Sequence, residues 1–438
     1  MKFTQRQLAI ILIAGLVVVG GLGVFYFGLR GSSSQSAKLT LTAWGTDPKT
    51  VFDALSTAYK TYAPNTTIDY TQIDPASYQS ILLKAFAAGT GPDIFELKNH
   101  DLGKWISETA ALPTSFSSQF NLAMLQQNFP DVVSQDFVTG GNIYAMPLDL
   151  DTMVMYYNKD LFNTAGIVYP PKTWNDFEAD IPKLRILNSQ GQITQAAAAI
   201  GGSQTSIADA PDIVFLLMLQ NGTTMVSNGG TTAAFDNTDG ENNNPGLTAF
   251  NFYLQFANPS SPYYTWNDGM GNALQSFASG ETAILFDYGS AMSTFKQKAP
   301  FLHYGIAPMP QPASATIAVN YPSYEGLAVS RAGQIMPAWS FVLYVTSNPA
   351  AENVYGTNMG EMPANRATIA TAMSDATYGV FASQALTARS WYEADSTQID
   401  TIMNTAIQNV LGGTMDSSNA LGVAATAITG VMQNAGNQ

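Results

Sequence analysis

Two carboxylates, Asp149 and Asp151, stand between two apolar runs in the segment from residue 144 to residue 162. Residues two apart on an extended chain point to the same face, so the two side chains can share one site. Carboxylates hydrogen-bond to sugar hydroxyls or pair with cationic ligands. A pair of them can also act as the acid and the nucleophile of a glycoside hydrolase. We interpret the segment as a strand that leaves one domain and enters another, with both aspartates in the crevice between the domains.

Five further residues are candidate ligand contacts: Trp44, Tyr288, Tyr324, Glu325 and Arg366. Trp44 ends a predicted strand, where it can stack on a sugar ring or pack against its neighbours. Tyr288 follows a predicted buried strand, and Tyr324 and Glu325 precede another. Arg366 can donate a bidentate hydrogen bond to a ligand or anchor its own loop. For each of the five, packing within the protein is the alternative interpretation.

The composition argues against several classes of function. The 438-residue chain has no cysteine, which excludes disulfides, a catalytic thiolate and cysteine-based zinc sites. Its only histidines are His100 and His303, too few for a multi-histidine metal centre. The net charge is -14, and no cluster of Lys and Arg is present to bind phosphates. We therefore predict no metal, no cofactor and no nucleic-acid partner.

The elements that position these residues follow an α/β pattern. Strand-like and helix-like segments alternate as β-α-β-α-β between residues 39 and 97. Such alternation predicts an open, largely parallel sheet covered by helices. In sheets of this kind the ligand lies beyond the carboxyl ends of the strands, which is where Trp44 is expected.

Three local signals predict where turns and helices begin. Asp47, directly before a proline, is expected to cap the first helix. Gly140 and Gly141 form a two-residue glycine turn, which favours a β-hairpin. Thr173 and Asp176 have the spacing of a capping box at the start of another helix.

An uncharged apolar segment runs from Leu8 to Leu29, long enough to cross a bilayer, for which about 20 residues are needed. Lys2 and Arg6 precede it and favour a cytoplasmic N-terminus. We predict a membrane anchor over residues 1–30, a flexible linker over residues 31–38, and an extracytoplasmic remainder. Cleavage as a signal peptide within the small residues 32–37 is the alternative.

Four segments together resemble the extracellular solute-binding proteins of ATP-driven importers. Within that family the chain is similar to the carbohydrate-binding branch that includes maltose-binding protein. The segments occur in the family's order, at residues 89–97 (GTGPDIFEL), at 144–162 with its continuation at 170–177 (PPKTWNDF), at 277–289 (FASGETAILFDYG) and at 361–366 (EMPANR).

The resemblance implies a two-lobed periplasmic-binding-protein fold of type II, with a hinge and a cleft between the lobes. Lobe 1 would hold residues 39–148 and 310–347, and lobe 2 residues 149–309 and 348–438. The backbone would pass between the lobes at residues 148–152 and 306–311. Asp151 matches a family position that commonly points into the cleft.

The resemblance also implies a binding protein and not an enzyme. A monomer would capture a small solute, a sugar or oligosaccharide or else a cationic solute, and deliver it to the permease subunits of an ABC transporter. The anchor would replace the lipidated cysteine of some members, and Tyr288-Gly289-Ser290 stands where sugar binders commonly have tryptophan. Two alternatives remain open. One is an anchored glycoside hydrolase that uses Asp149, Asp151 or Glu325, and the other is a surface domain without a transport role.

Overall fold

The structure, a computed structural model, describes residues 38–227 and 229–435. The predicted anchor between Leu8 and Leu29 therefore lies outside the described residues. Among the described residues, no helix combines the length and the apolar character needed to span a membrane.

The described chain alternates strands and helices. In chain order the strands are β1 (Leu39–Gly45), β2 (Thr66–Gln72), β3 (Ile94–Lys98), β4 (Val138–Thr139), β5 (Asn142–Ile143), β6 (Ala145–Pro147), β7 (Asp151–Thr152), β8 (Val154–Asn158), β9 (Ile186–Leu187), β10 (Ile193–Ala199), β11 (Thr282–Asp287), β12 (Tyr304–Ala307), β13 (Pro322–Ser323) and β14 (Glu325–Val329). The α-helices are α1 (Lys49–Tyr62), α2 (Pro75–Ala87), α3 (Leu102–Trp105), α4 (Leu122–Asn128), α5 (Asp131–Phe137), α6 (Lys159–Thr164), α7 (Trp174–Leu184), α8 (Ala210–Gln220), α9 (Pro245–Leu254), α10 (Ala273–Ala278), α11 (Ala291–Lys298), α12 (Ile335–Ser347), α13 (Pro349–Met359), α14 (Arg366–Ala372), α15 (Gly379–Ala385), α16 (Ser396–Leu411) and α17 (Ser417–Ala435).

The first sheet has the strand order β2-β1-β3-β14-β6. Strand β1 runs parallel to β2 and β3, as the β-α-β-α-β pattern predicts. Strand β14 instead runs antiparallel to β3 and β6, so the sheet is mixed and not largely parallel. The buried core around this sheet includes Phe95, Trp339 and Tyr355.

The second sheet has the strand order β12-β8-β11-β10-β9. Only β10 and β11 pair in parallel, while β8 runs antiparallel to both of its neighbours. A separate buried core surrounds this sheet and includes Phe215, Phe250, Trp266 and Phe286. The two sheets and their cores define two units, each large enough to fold around its own apolar interior.

The backbone passes between the units close to the predicted acid pair. Strands β7 and β13 form a short antiparallel ladder in which Asp151 lies opposite Ser323. The chain passes again between Ala388, which belongs to the first core, and Trp391, which belongs to the second. The first crossing thus lies within the predicted residues 148–152.

The packing divides the rest of the chain differently from the predicted lobe boundaries. Residues 310–321, expected in lobe 1, stay with the second unit: Gln311 bridges to Thr173, and Tyr321 lies in the second core. Residues 306–311 are therefore not the second crossing, which lies at β13. The segment that carries α13 and α14, expected in lobe 2, contributes Tyr355 and Ile369 to the first core. We assign these segments to the two units from the burial of their apolar side chains, because no strong change in composition marks the boundary between the units.

Two local predictions are confirmed. Gly140 and Gly141 have φ angles of 58° and 79° and join β4 to β5, a conformation that glycine adopts without strain. Thr173 and Asp176 form the predicted capping box at the start of α7. The third prediction is wrong: Pro48 occupies the cap position of α1 without a side-chain hydrogen bond, and Asp47 is buried elsewhere.

Candidate functional site

A cavity of about 370 Å³ lies where the first crossing meets both units. Its walls come from the crossing, the start of α11 in the second unit, the loop after α13 in the first unit, and α15. It falls within the size range of small-molecule sites. We call it the crossing cavity, and its lining includes Asp149, Asp151, Gly289, Glu361, Tyr378 and Phe381.

Asp151 joins the crossing to the second unit. One carboxylate oxygen accepts the backbone N–H of Thr152 at 2.7 Å, and the other accepts that of Gly289 at 2.7 Å. A side chain at position 289 would stand 3.1 Å from the Asp151 carboxylate, so glycine allows this close approach. Burial raises the pKa of Asp151 to about 8, although both hydrogen bonds oppose the shift.

Asp149 joins the crossing to the first unit. Its side chain is almost fully buried, with 4% of the residue exposed, and one oxygen accepts the backbone N–H of Glu325 at 3.1 Å. Burial and the nearby Glu361 carboxylate raise its pKa well above the usual range. Asp149 thus contacts the first unit, Asp151 contacts the second unit, and both line the same cavity.

Two further carboxylates reach this region from the first unit. The Tyr355 hydroxyl donates to Asp47 at 3.1 Å. Burial raises the pKa of Asp47 to about 6 and that of Glu361 to about 7, and the neighbouring Tyr355 hydroxyl lowers both. Sequence reasoning missed both acids as site residues. Asp47 was expected to be a helix cap, and Glu361 was recognised only as part of a motif.

The structure places three predicted contacts away from the crossing cavity. The Tyr324 hydroxyl donates to Asp136 at 2.7 Å in the first core, where the tyrosine is 2% exposed. The Tyr288 hydroxyl donates to Asp212 at 2.6 Å in the second unit. Arg366 donates from Nε to the carbonyl of Phe129, and it pairs with Asp131 at 2.8 Å. For these three residues the contacts agree with the alternative interpretation, in which the side chain packs within the protein or, for Arg366, anchors its own loop.

The remaining two candidates lie at the carboxyl edge of the first sheet. Trp44 is half-buried against the first core near the end of β1. Glu325 keeps partial exposure at the start of β14, and burial, together with Glu96, raises the pKa of its carboxyl group well above the usual range. Neither side chain lines the crossing cavity.

A lysine that the sequence did not single out faces carboxylates of both units. Lys98 ends β3 in the first unit. Burial alone would lower its pKa, but the carboxylates around it raise it above the ordinary value, with Asp212 and Asp400 of the second unit having the largest effects. The walls of the two units are therefore close enough to interact across the gap between them.

The sequence matches the family model of bacterial extracellular solute-binding proteins over residues 43–352. That range covers most of the chain and includes the first crossing and the start of α11. The chain belongs to this family. The solute-binding family predicted from the four segments is therefore confirmed.

Curated relatives are distant. A candidate binding protein of Brucella abortus is 23% identical over 289 residues, which are 64% of this chain and 64% of the relative. The maltodextrin-binding protein MdxE of Bacillus subtilis is 25% identical over 253 residues, 55% of this chain and 54% of that protein. The chain thus aligns with less than two thirds of the length of these relatives.

Solved structures match nearly the whole described fold. The sugar-binding protein MalE of Xanthomonas citri superposes with a TM-score of 0.74 at 18% identity, covering 90% of this chain and 98% of that one. The substrate-binding protein of Listeria monocytogenes in complex with cycloalternan gives 0.71 at 20% identity, covering 90% and 99%. Likeness at this identity concerns the fold, and it confirms the predicted two-lobed α/β architecture.

The buried acids predict that the unliganded protein becomes less stable as the pH rises. The folded-state pKa is raised to about 8 for Asp151, Asp209 and Asp400, mainly by burial, whereas an unfolded aspartate titrates near 4. The folded state therefore binds more protons between these values. The stability due to these groups is present below pH 4 and is lost as the pH rises toward 8. We expect the melting temperature to fall between pH 5 and pH 8.

Differential scanning calorimetry across this range, at constant ionic strength, measures the effect. The matched variant is Asp209→Asn, which fixes one group in an uncharged form. The Asp209 carboxyl group has no hydrogen-bond partner among the described residues, so the substitution breaks no hydrogen bond. Its melting temperature should vary less steeply with pH than that of the wild type. A melting temperature that rises from pH 5 to pH 8 in both proteins contradicts the prediction.

Proposed function

We propose that the protein is the extracytoplasmic binding component of an ABC importer, which captures a small solute between its two units and presents it to a membrane permease. The observation that carries the proposal is the crossing cavity, because both units and the backbone passage between them supply its walls. Membership of the solute-binding family supports the same role.

Capture requires no chemistry of the protein. A ligand that contacts both walls binds the closed arrangement better than the open one, and so shifts the population toward closure. The residues that would sense both units are Asp149, which is held by the first unit, and Asp151, which is held by the second. The closed form then provides the surface that a permease recognises.

A sugar or oligosaccharide is the proposed solute. The cavity combines carboxylates, which accept hydrogen bonds from hydroxyl groups, with the aromatic residues Tyr378 and Phe381, which can pack on the apolar face of a sugar ring. Relatives support this choice, since MdxE is named for maltodextrin and the Listeria structure holds cycloalternan. The apolar segment between Leu8 and Leu29 is proposed to anchor the protein near its permease, where the effective concentration is high.

The test is titration calorimetry of the protein without its first 37 residues against neutral oligosaccharides, amino sugars and polyamines. Small-angle scattering on the same mixtures reports closure. We expect at least one sugar to bind with a dissociation constant in the micromolar range and to reduce the radius of gyration. Chromatography of the recovered sugar serves as the control for a glycoside hydrolase. Absence of binding by every compound, or a shortened sugar product, contradicts the proposal.

A further inference from the structure

The crossing cavity gathers acidic groups that have no counter-ion. The carboxyl groups of Asp149, Asp151 and Glu361 line it, and the one lysine among its lining residues, Lys296, is exposed on α11. Among residues 38–227 and 229–435, no lysine, arginine or histidine forms an ion pair with any of the three carboxyl groups. The cavity therefore offers three ionisable acids that a cationic ligand could pair with.

The three acids differ in their hydrogen bonds. Both oxygens of Asp151 accept backbone N–H groups. The Glu361 carboxyl group lies beside the Tyr355 hydroxyl, which donates to Asp47. Only one oxygen of Asp149 has a donor, the N–H of Glu325, within the described chain. Its second oxygen belongs to a residue that is 96% buried and lines the cavity. A ligand donor in the cavity would satisfy it.

Apolar and aromatic side chains form another part of the lining. Tyr378 and Phe381 reach the cavity together with Met292, Met359 and Met362. The Tyr378 hydroxyl donates to the Gly360 carbonyl at 2.7 Å, which fixes the position of its ring. Aromatic faces accommodate sugar rings and also attract cations. The lining therefore suits a ring-shaped ligand that carries positive charge on one side.

We propose that the crossing cavity selects a saccharide that carries an amino group, with the ammonium placed against Asp149 and its neighbouring carboxylates. This rests on the proposed function and specifies the solute. An ammonium brings three donors and a full charge, whereas a hydroxyl can satisfy the free oxygen of Asp149 but supplies no counter-ion for the acids. The sugar ring occupies the aromatic side of the cavity.

The proposal fixes the pH dependence of binding. Burial raises the pKa of Asp151 to about 8 and that of Glu361 to about 7, so both carboxyl groups are largely protonated at pH 5.5. A bound ammonium favours their charged forms and releases their protons. The affinity for an amino sugar therefore rises from pH 5.5 to pH 7, below the pH at which the sugar's own ammonium loses its proton, and calorimetry in buffers of different ionisation enthalpy detects the released protons. A neutral sugar, which needs no charged partner, lacks this signature.

The experiment compares matched pairs that differ only in the amino group. The probes are glucosamine, galactosamine and mannosamine with their 2-hydroxyl counterparts, and the glucosamine trimer with cellotriose. The N-acetylated sugars keep the nitrogen and lose the charge. We expect the amino member of at least one pair to bind about 10-fold more tightly or better, with proton release, and its N-acetyl form to behave like the neutral member.

Two variants test the assigned residue. Asp149→Asn keeps the side-chain volume and an oxygen for the Glu325 N–H while removing the charge, so the ratio of amino to neutral affinity should fall several-fold. Asp131→Asn removes an exposed charge outside the cavity and should leave the ratio unchanged. Thermal melts of both variants establish that they are folded.

The outcomes test the amino-saccharide inference and the proposed binding function separately. Neutral sugars that bind as tightly as their amino counterparts overturn the inference and leave the proposed function in place. An amino preference that Asp149→Asn does not reduce overturns the assignment to this cavity. Binding of spermidine alone overturns the saccharide part, and absence of binding by every probe overturns both proposals.

Discussion

Replacing Asp151 with asparagine is expected to weaken binding of the captured solute about 100-fold, within the range for losing one charge from a buried polar contact. Asparagine keeps the shape of the side chain but offers only one acceptor oxygen. The backbone N–H groups of Thr152 and Gly289 both depend on this carboxylate at 2.7 Å. The substitution therefore removes an ionisable acid and one acceptor oxygen from the crossing cavity and also frees the start of α11 from the crossing.

Titration calorimetry with the best-binding sugar from the matched pairs measures the change, and scattering shows whether closure is also impaired. The control is Asp131→Asn, which makes the same chemical change at a side chain that is 72% exposed and pairs with Arg366. The control should bind within about twofold of the wild type. If Asp151→Asn binds as tightly as the control, the crossing cavity is not where the solute lies.

The position of Asp151 could be predicted because its signal is local. Two apolar runs flank the pair of acids, and an extended chain with a polar middle cannot be buried along its whole length. The capping box at Thr173 and the glycine turn at Gly140 are local in the same sense, since each depends on neighbours within a few residues. Three of the strands of the first sheet followed from the same kind of pattern.

The partners of the site could not be predicted because they are far apart in the sequence. Asp47 accepts a hydrogen bond from Tyr355, 308 residues later in the chain. No pattern within a short window of sequence reports such a contact. Asp47 directly before a proline has the local signature of a helix cap, and tertiary packing outweighed that preference.

The second crossing was misplaced for a related reason. The segment after β12 contains several prolines and reads as an extended connection, which suited a passage between lobes. The backbone instead stays on the second unit, where Gln311 donates to the carbonyls of Met309 and Val319. An extended conformation is compatible with either path, so only the burial of Tyr321 and the side-chain contacts of Gln311 distinguish them.

The largest loss of stability is expected for Glu393→Gln, at about 3 kcal/mol in the free energy of unfolding. The Glu393 carboxylate lies 2.9 Å from Nδ1 of His100, and the two side chains are 1% and 3% exposed. The Tyr321 hydroxyl donates to the same oxygen at 2.6 Å. His100 belongs to the first unit, Tyr321 to the second core, and Glu393 follows the last passage between the units. The substitution therefore leaves the buried His100 without its counter-ion at the point where the first unit, the second core and the last passage between the units meet.

The pH dependence separates loss of the ion pair from simple loss of packing. Burial lowers the pKa of His100, but Glu393 outweighs it and raises the pKa to about 9. A histidine with a raised folded-state pKa contributes stability that is present below pH 6.5 and lost as the pH rises through 9. The difference in unfolding free energy between the wild type and Glu393→Gln should therefore be greatest near pH 6 and shrink toward pH 10.

Urea denaturation at both pH values measures the difference, and a double-mutant cycle with His100→Gln isolates the coupling between the two side chains. We expect the coupling to account for most of the loss at pH 6 and little of it at pH 10. A loss that is equal at the two pH values would assign the effect to the Tyr321 hydrogen bond and to packing. In that case the charge on His100 would contribute nothing to holding the units together.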